Sequence, residues 1–147
     1  MSMSGIEVDK EIPVLYNEMK LRSTNKYMTF KIENKKKVVV DYASDPKKTS
    51  NKEEDKESFA ELKERLTKEP RYILYDFGFT NKESREIRKI AFVFWCPDDS
   101  KIGDKMIYAS TKDTIKKAFS GLGLEFQAND ASDFDYDAFS TEVEKKA

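Results

Sequence analysis

Ile90-Ala91-Phe92-Val93-Phe94-Trp95 is apolar at every position, so neither face of a strand built from it has a polar side to show to water. A strand buried on both faces sits in the middle of a sheet that helices cover on both sides. That one run predicts an α/β (α+β) domain with a layered architecture. Tyr72 to Phe79 is the second strong strand, and the charged Thr80 to Ile87 (TNKESREI) between the two reads as a hairpin loop projecting from one end of the sheet. Further upstream, Met28, Phe30 and Ile32 alternate with Tyr27, Thr29 and Lys31, and the β-branched Val38-Val39-Val40 follows Glu33-Asn34-Lys35-Lys36. This is the pattern of another hairpin.

Helical spacing surrounds these strands. From Asp9 to Leu21 the residues Ile12, Leu15, Tyr16 and Met19 recur at helical intervals, with Pro13 confined to the first turn. Ser44 to Glu57 (SDPKKTSNKEEDKE) is almost devoid of apolar residues and reads as a charged, solvated loop or a frayed helix start, expected to be mobile. Ser58-Phe59-Ala60-Glu61 has the pattern of a capping box and predicts a helix from Ser58 to Thr67 with Phe59, Leu62 and Leu66 as its buried stripe, closed by Pro70. A long helix is expected from Ile102 to Phe119, then a break at Gly121-Leu122-Gly123, a strand from Leu124 to Gln127, and a last helix from Asp135 to Glu144 built on Tyr136, Phe139 and Val143. The expected order is α-β-β-α-β-β-α-β-α: a single domain over 1–147 with a mixed sheet of about five strands sandwiched by helices, a flexible tail at 1–6 and a charged loop at 44–57.

Composition narrows the function. The 147 residues carry 27 basic and 28 acidic side chains, so no global field favours a nucleic acid or an anionic membrane. The chain has no histidine, which removes the commonest general base, the usual zinc ligand and the Ser/His or Cys/His nucleophile pair together. Phosphate-cradling glycine loops are missing as well: Gly121-Leu122-Gly123 lacks a third glycine, and no G-x-x-x-x-G-K-[ST] stretch occurs. A lone Cys96, no glycosylation sequon, no hydrophobic leader and no long apolar run favour a cytoplasmic protein without a transmembrane segment. A hydrolase or transferase relying on a pair of carboxylates stays open, but no residue constellation in the sequence points to one, and the expectation is a non-enzymatic binding module with no cofactor and no metal.

The long helix carries the most informative surface. At roughly 100° per residue, Ile107, Tyr108, Thr111, Ile115, Ala118 and Phe119 fall on one side, the expected core face. Met106 falls nearly opposite, among Ser110, Asp113 and Lys117, with Lys105, Lys112 and Lys116 along one flank. An adaptable apolar side chain on a polar, basic face is an anchor for a protein partner. Against that stands the ordinary occurrence of single exposed methionines. Two further candidates are the small-residue segment Met1 to Ile6 and the basic end of the hairpin loop, Arg85, Arg88 and Lys89.

Lys105-Met106-Ile107-Tyr108-Ala109-Ser110-Thr111-Lys112-Asp113 resembles the actin-binding helix signature of the ADF/cofilin family. The likeness extends over essentially the whole chain: Ser4-Gly5-Ile6, Tyr16-Asn17-Glu18-Met19-Lys20, Arg71-Tyr72, Trp95-Cys96-Pro97-Asp98 and Phe126-Gln127-Ala128-Asn129-Asp130 agree in order and spacing. The resemblance implies an actin monomer-binding set of Ser4, Gly5, Lys105, Met106, Lys112 and Asp113, with the helix entering the cleft between two actin subdomains. It implies a filament-binding set at Arg88, Lys89 and Lys145, and phosphorylation at Ser4, with Ser2 as the substitute site. Phosphoinositides compete with actin in the family, and Lys105, Lys112, Lys116 and Lys117 are the residues that would form such a patch. The sequence departs from the family pattern at Gly103, where a basic residue is usual, at Asp104, and at Thr141 and Glu142 in the last helix.

The function so implied is that of a monomeric protein that binds actin monomers, preferring the ADP form, and filaments, and promotes severing and depolymerisation. Weakened contacts in the last helix suggest the alternative of a monomer-sequestering protein with weak severing.

Overall fold

The computed structural model describes residues 5–146. In chain order the elements are β1 (Glu7–Val8), α1 (Glu11–Arg22), β2 (Tyr27–Glu33), β3 (Lys37–Ala43), α2 (Lys52–Arg65), β4 (Arg71–Thr80), β5 (Glu86–Trp95), α3 (Ile102–Lys116), β6 (Glu125–Ala128) and α4 (Tyr136–Lys146). They build one mixed sheet in the order β1-β3-β2-β4-β5-β6. The inner pairs β3-β2, β2-β4 and β4-β5 are antiparallel, and the short edge strands β1 and β6 join in parallel.

β5 does what its all-apolar run requires. Ala91, Val93 and Trp95 enter the core shared with α2 and α4, where Phe59, Leu62, Phe134, Tyr136, Phe139 and Val143 meet them. Phe92 and Phe94 enter the opposite core, under Ile12, Tyr16 and Met19 of α1 and Tyr108 and Ile115 of α3. β4 repeats the division, with Tyr75 and Phe77 on the first side and Tyr72 and Leu74 on the second. The sheet is therefore the middle of three layers, as the sequence predicts.

Three expectations need correction. The tail expected to be flexible through residue 6 is anchored earlier: Ile6 is buried, and Glu7 and Asp9 donate backbone N–H groups to the carbonyls of Lys36 and Val38. Burial of one isoleucine and two ladder bonds thus add a sixth strand that is too short to show as a pattern.

The second correction concerns 44–57. Of the two readings of this stretch, the helix start holds for its second half, which forms the first turns of α2 and is capped rather than frayed. Asn51 stands in the extended N-cap conformation and its side chain accepts from the Glu54 N–H at 2.9 Å, while the Glu54 carboxylate accepts from the Ser50 N–H at 2.9 Å. Glu53, Glu54 and Asp55 place negative charge on the first turn, where the helix dipole favours it. The first half is stapled to the sheet: Ser44 Oγ accepts from the N–H groups of Lys26 and Tyr27, and the buried Thr49 donates to the Gly78 carbonyl.

Asp55 explains why so charged a segment packs down. Its buried carboxylate receives Lys26 Nζ at 2.7 Å, the hydroxyls of Tyr75 and Tyr136 at 2.8 and 2.6 Å, and the Gly78 N–H at 3.1 Å. A buried charge is tolerable only when paired and hydrogen-bonded in this way.

The third correction is the capping box assigned to Ser58. That residue lies inside α2, buried, and its Oγ has no hydrogen-bond partner. Leu66 is the C-cap and only partly buried rather than part of the helix stripe.

Candidate partner-binding surface on the third helix

α3 is held by its inner face. Tyr108, Thr111 and Ile115 are buried, the Tyr108 hydroxyl accepts from the Ile32 N–H at 2.9 Å, and the Tyr72 hydroxyl donates to the Tyr108 carbonyl. Burial pushes the Tyr72 phenol far above its ordinary range, so it remains a donor. After Lys116 the helix tightens, with Ala118 and Phe119 donating to carbonyls only three residues back, and Gly121 turns away at φ +79°.

The outer face of this pinned helix carries Met106, 67% exposed, with Asp113 exposed and Lys105 partly buried. Lys112 and Lys116 bend to the edge strand β6, where Glu125 lies 3.6 Å from Lys112 Nζ and 2.6 Å from Lys116 Nζ. Partial burial pushes the Glu125 carboxyl up, but the bonds to Lys116 and Lys112 outweigh it and hold the group below the usual carboxylate range. Of the patch Lys105, Lys112, Lys116 and Lys117, two members thus already share an internal carboxylate.

β1 lies against α3 and β3, which brings the N-terminal segment to the same side of the molecule. Gly5 is exposed at φ +74°, a conformation glycine adopts without strain, and the adjacent Ile6 fastens it to the core. Gly5, Lys105, Met106, Lys112 and Asp113 therefore belong to one side, whereas Ser2 and Ser4 lie outside the described residues.

The hairpin residues and the end of α4 form a separate grouping. Asn81 closes the β4–β5 turn by accepting from the N–H groups of Glu83 and Arg85. Arg85, Lys82, Thr141 and Lys145 line one shallow depression; Arg88, Lys89 and Lys146 line another, of about 390 Å³, together with Met19, Asp76 and Leu122. Arg88 lies across Gly78, where an added Cβ would meet its Nη1 at 1.7 Å, and it donates from Nε to Glu86 at 3.0 Å. Lys145 is engaged with Glu142 at 3.2 Å, and Lys52 of α2 ties α4 in place through Glu144 at 3.2 Å.

Three groups at these places escape the sequence reading. Asp76 has a carboxyl that burial pushes up to about 6, although Lys26 and Arg88 pull it the other way. Asp55 is the buried acid described above, and Ile102, at the start of α3, is 74% exposed. Only Ile102 leaves a trace in the sequence, as an apolar residue one turn before Met106.

No helix among the described residues is long and apolar enough to cross a membrane. Among the same residues no group of three or more His, Cys, Asp or Glu side chains is placed to hold a metal ion.

Comparison with known proteins agrees with this architecture. A family profile described as Cofilin/tropomyosin-type actin-binding protein matches residues 5–144. The chain is 37% identical to the cofilin of Gibberella zeae, covering 99% of this chain and 97% of that one. It is 38% identical to actin-depolymerizing factor 1 of Arabidopsis thaliana, covering 92% and 93%. Among solved structures, actin depolymerization factor 2 of Plasmodium berghei superposes with a TM-score of 0.78 at 30% identity, covering 98% of this chain and 96% of that one. With the profile spanning nearly the whole fold and the relatives matching end to end, the chain belongs to the ADF/cofilin family of actin-binding proteins.

Proposed function

We propose that the protein binds actin monomers through the outer face of α3 and the adjoining N-terminal segment, and binds filaments through the β4–β5 hairpin and the end of α4. The observation that carries this reading is Met106: it stays two-thirds exposed on a helix whose other side is locked into the core, beside Lys105 and Asp113. Fitting a rigid ridge into a cleft costs little ordering entropy, so most of the contact free energy appears as affinity. No covalent chemistry is involved. A preference for ADP-actin and for one filament twist shifts populations, which promotes severing and depolymerisation in the cytoplasm. Phosphorylation at Ser4 or Ser2 would add negative charge to the N-terminal segment and weaken binding to an acidic partner surface. Any phosphoinositide binding at the lysines of α3 would have to compete with Glu125 for Lys112 and Lys116.

The test is binding of the Lys105→Ala/Met106→Ala double variant to purified monomeric actin. A central anchor and its charged neighbour are each worth about 2 kcal/mol or more, so affinity falls by at least about a hundredfold while the far-ultraviolet circular dichroism is unchanged. Unaltered affinity removes α3 from the interface. Co-sedimentation with filaments then distinguishes the two modes of action: the wild-type chain pellets in part with filaments and shortens them, whereas a monomer sequesterer stays in the supernatant with the actin it holds.

A further inference from the structure

Resting on the filament reading above, we infer that Gly78 is a positioning residue for filament binding: it leaves bare a patch of β4 on which the Arg88 guanidinium lies, and so fixes how Arg88 meets an acidic side chain of the filament. Gly78 stands between the buried Phe77 and Phe79, in a strand that a glycine weakens. Backbone freedom does not explain it, because Gly78, unlike Gly5 and Gly121, has no positive φ. The explanation is the space above it. A Cβ at this position would stand 1.7 Å from Arg88 Nη1 and 2.9 Å from Arg88 Cζ. Even an alanine therefore displaces the guanidinium, which is the movable end of its side chain, and leaves the strand where it is.

The patch is rigid and the guanidinium is held on it from several directions. Gly78 and Arg88 face each other in the β4–β5 ladder. The Gly78 N–H donates to Asp55 at 3.1 Å and its carbonyl accepts from Thr49 at 2.6 Å, so neither group is spent on Arg88. Opposed residues that share no ladder bond are the ones whose side chains approach most closely. Glu86 accepts from Arg88 Nε at 3.0 Å, and the Asp76 carboxylate attracts the same guanidinium from further along β4. Its terminal nitrogens have no carboxylate partner among the described residues, and the side chain is 33% exposed. A planar fork already ordered in this way binds a carboxylate with little further loss of rotamer freedom.

The experiment compares filament co-sedimentation and monomer affinity for Arg88→Ala, Gly78→Ala, the two combined, and the charge-conserving Arg88→Lys. Arg88→Ala weakens filament binding about fivefold. Gly78→Ala keeps every charge yet weakens it about threefold, and adds nothing on top of Arg88→Ala, because it acts only through that side chain. Arg88→Lys keeps the charge without the planar fork and falls close to Gly78→Ala. If Arg88→Ala pellets as the wild type does, the filament reading of Arg88 and the inference fall together. If Arg88→Ala loses binding while Gly78→Ala keeps it, or if the Gly78→Ala loss persists in full in the combined variant, the inference alone is overturned. Equal losses of monomer and filament binding in Gly78→Ala would mark general damage to the fold and overturn it too. Should a thermal melt show Gly78→Ala unfolded, Arg88→Lys decides: filament binding at the wild-type level there means that charge alone counts and that the glycine positions nothing.

Discussion

Asp55 and Asp76, two aspartates that both feel Lys26, illustrate how differently one acidic side chain behaves in one fold. Asp55 collects Lys26, two tyrosine hydroxyls and a backbone N–H, and removing it would strand a buried ammonium at a cost of about 3–5 kcal/mol. Asp76 is half-buried without such a set, and desolvation raises its carboxyl to about 6 from an ordinary value of 3.8. A folded-state pKa above the unfolded one means that the folded chain takes up the proton more readily. Asp76 therefore costs nothing below about pH 4 and its penalty grows as pH rises to about 6, reaching about 2–3 kcal/mol. We expect Asp76→Asn to match the wild type near pH 4 and to be more stable by that order at pH 7.5, measured by urea unfolding at both values. An equal difference at the two pH values would refute the assignment. In the sequence Asp76 is one acid inside an apolar strand, and Asp55 one acid in a charged run; which acid turns inward depends on Lys26 and Tyr136, far away in the chain.

At the scale of elements, legibility followed periodicity. Ile90 to Trp95, the Tyr72 to Phe79 strand and the core face of α3 are dense in apolar residues, and each was located to within a few residues. The start of α2 was not, because its inward residue is Asp55 rather than a hydrophobe, and a charge paired across the fold has no local signature. The edge strand β1 was missed for a different reason: a strand of two residues is defined by its partner β3. The choice of cap has a direct test. Asn51→Ala removes the acceptor of the Glu54 N–H and should lower stability by about 1 kcal/mol. Ser58→Ala instead deletes a buried hydroxyl that has no partner, and should be neutral or stabilising by a few tenths of a kcal/mol. Denaturant midpoints of the pair decide between them, and a larger loss at Ser58 than at Asn51 would restore the capping box read from the sequence.

The molecule presents two surfaces mounted on one sheet. The outer face of α3 covers one core, while the hairpin turn and α4 belong to the other side and end of the structure, linked by β5. Arg88 and Lys89 lie on exposed positions of β5, and Arg88 reaches no further than Gly78, Glu86 and the depression beside Lys146. Truncating them leaves the cores untouched. Arg88→Ala/Lys89→Ala should therefore bind monomeric actin as the wild type does and pellet with filaments about tenfold less well, because loss of charge-assisted contacts at an interface costs on the order of 1–3 kcal/mol. Combining these changes with Lys105→Ala/Met106→Ala should give additive losses in filament binding, since residues that touch neither one another nor a common neighbour within the fold act independently. A monomer affinity that drops with Arg88 and Lys89 would merge the two surfaces into one. A strong non-additivity in filament binding would mean that β5 transmits strain between them, and that the sheet is a coupling element rather than a passive frame.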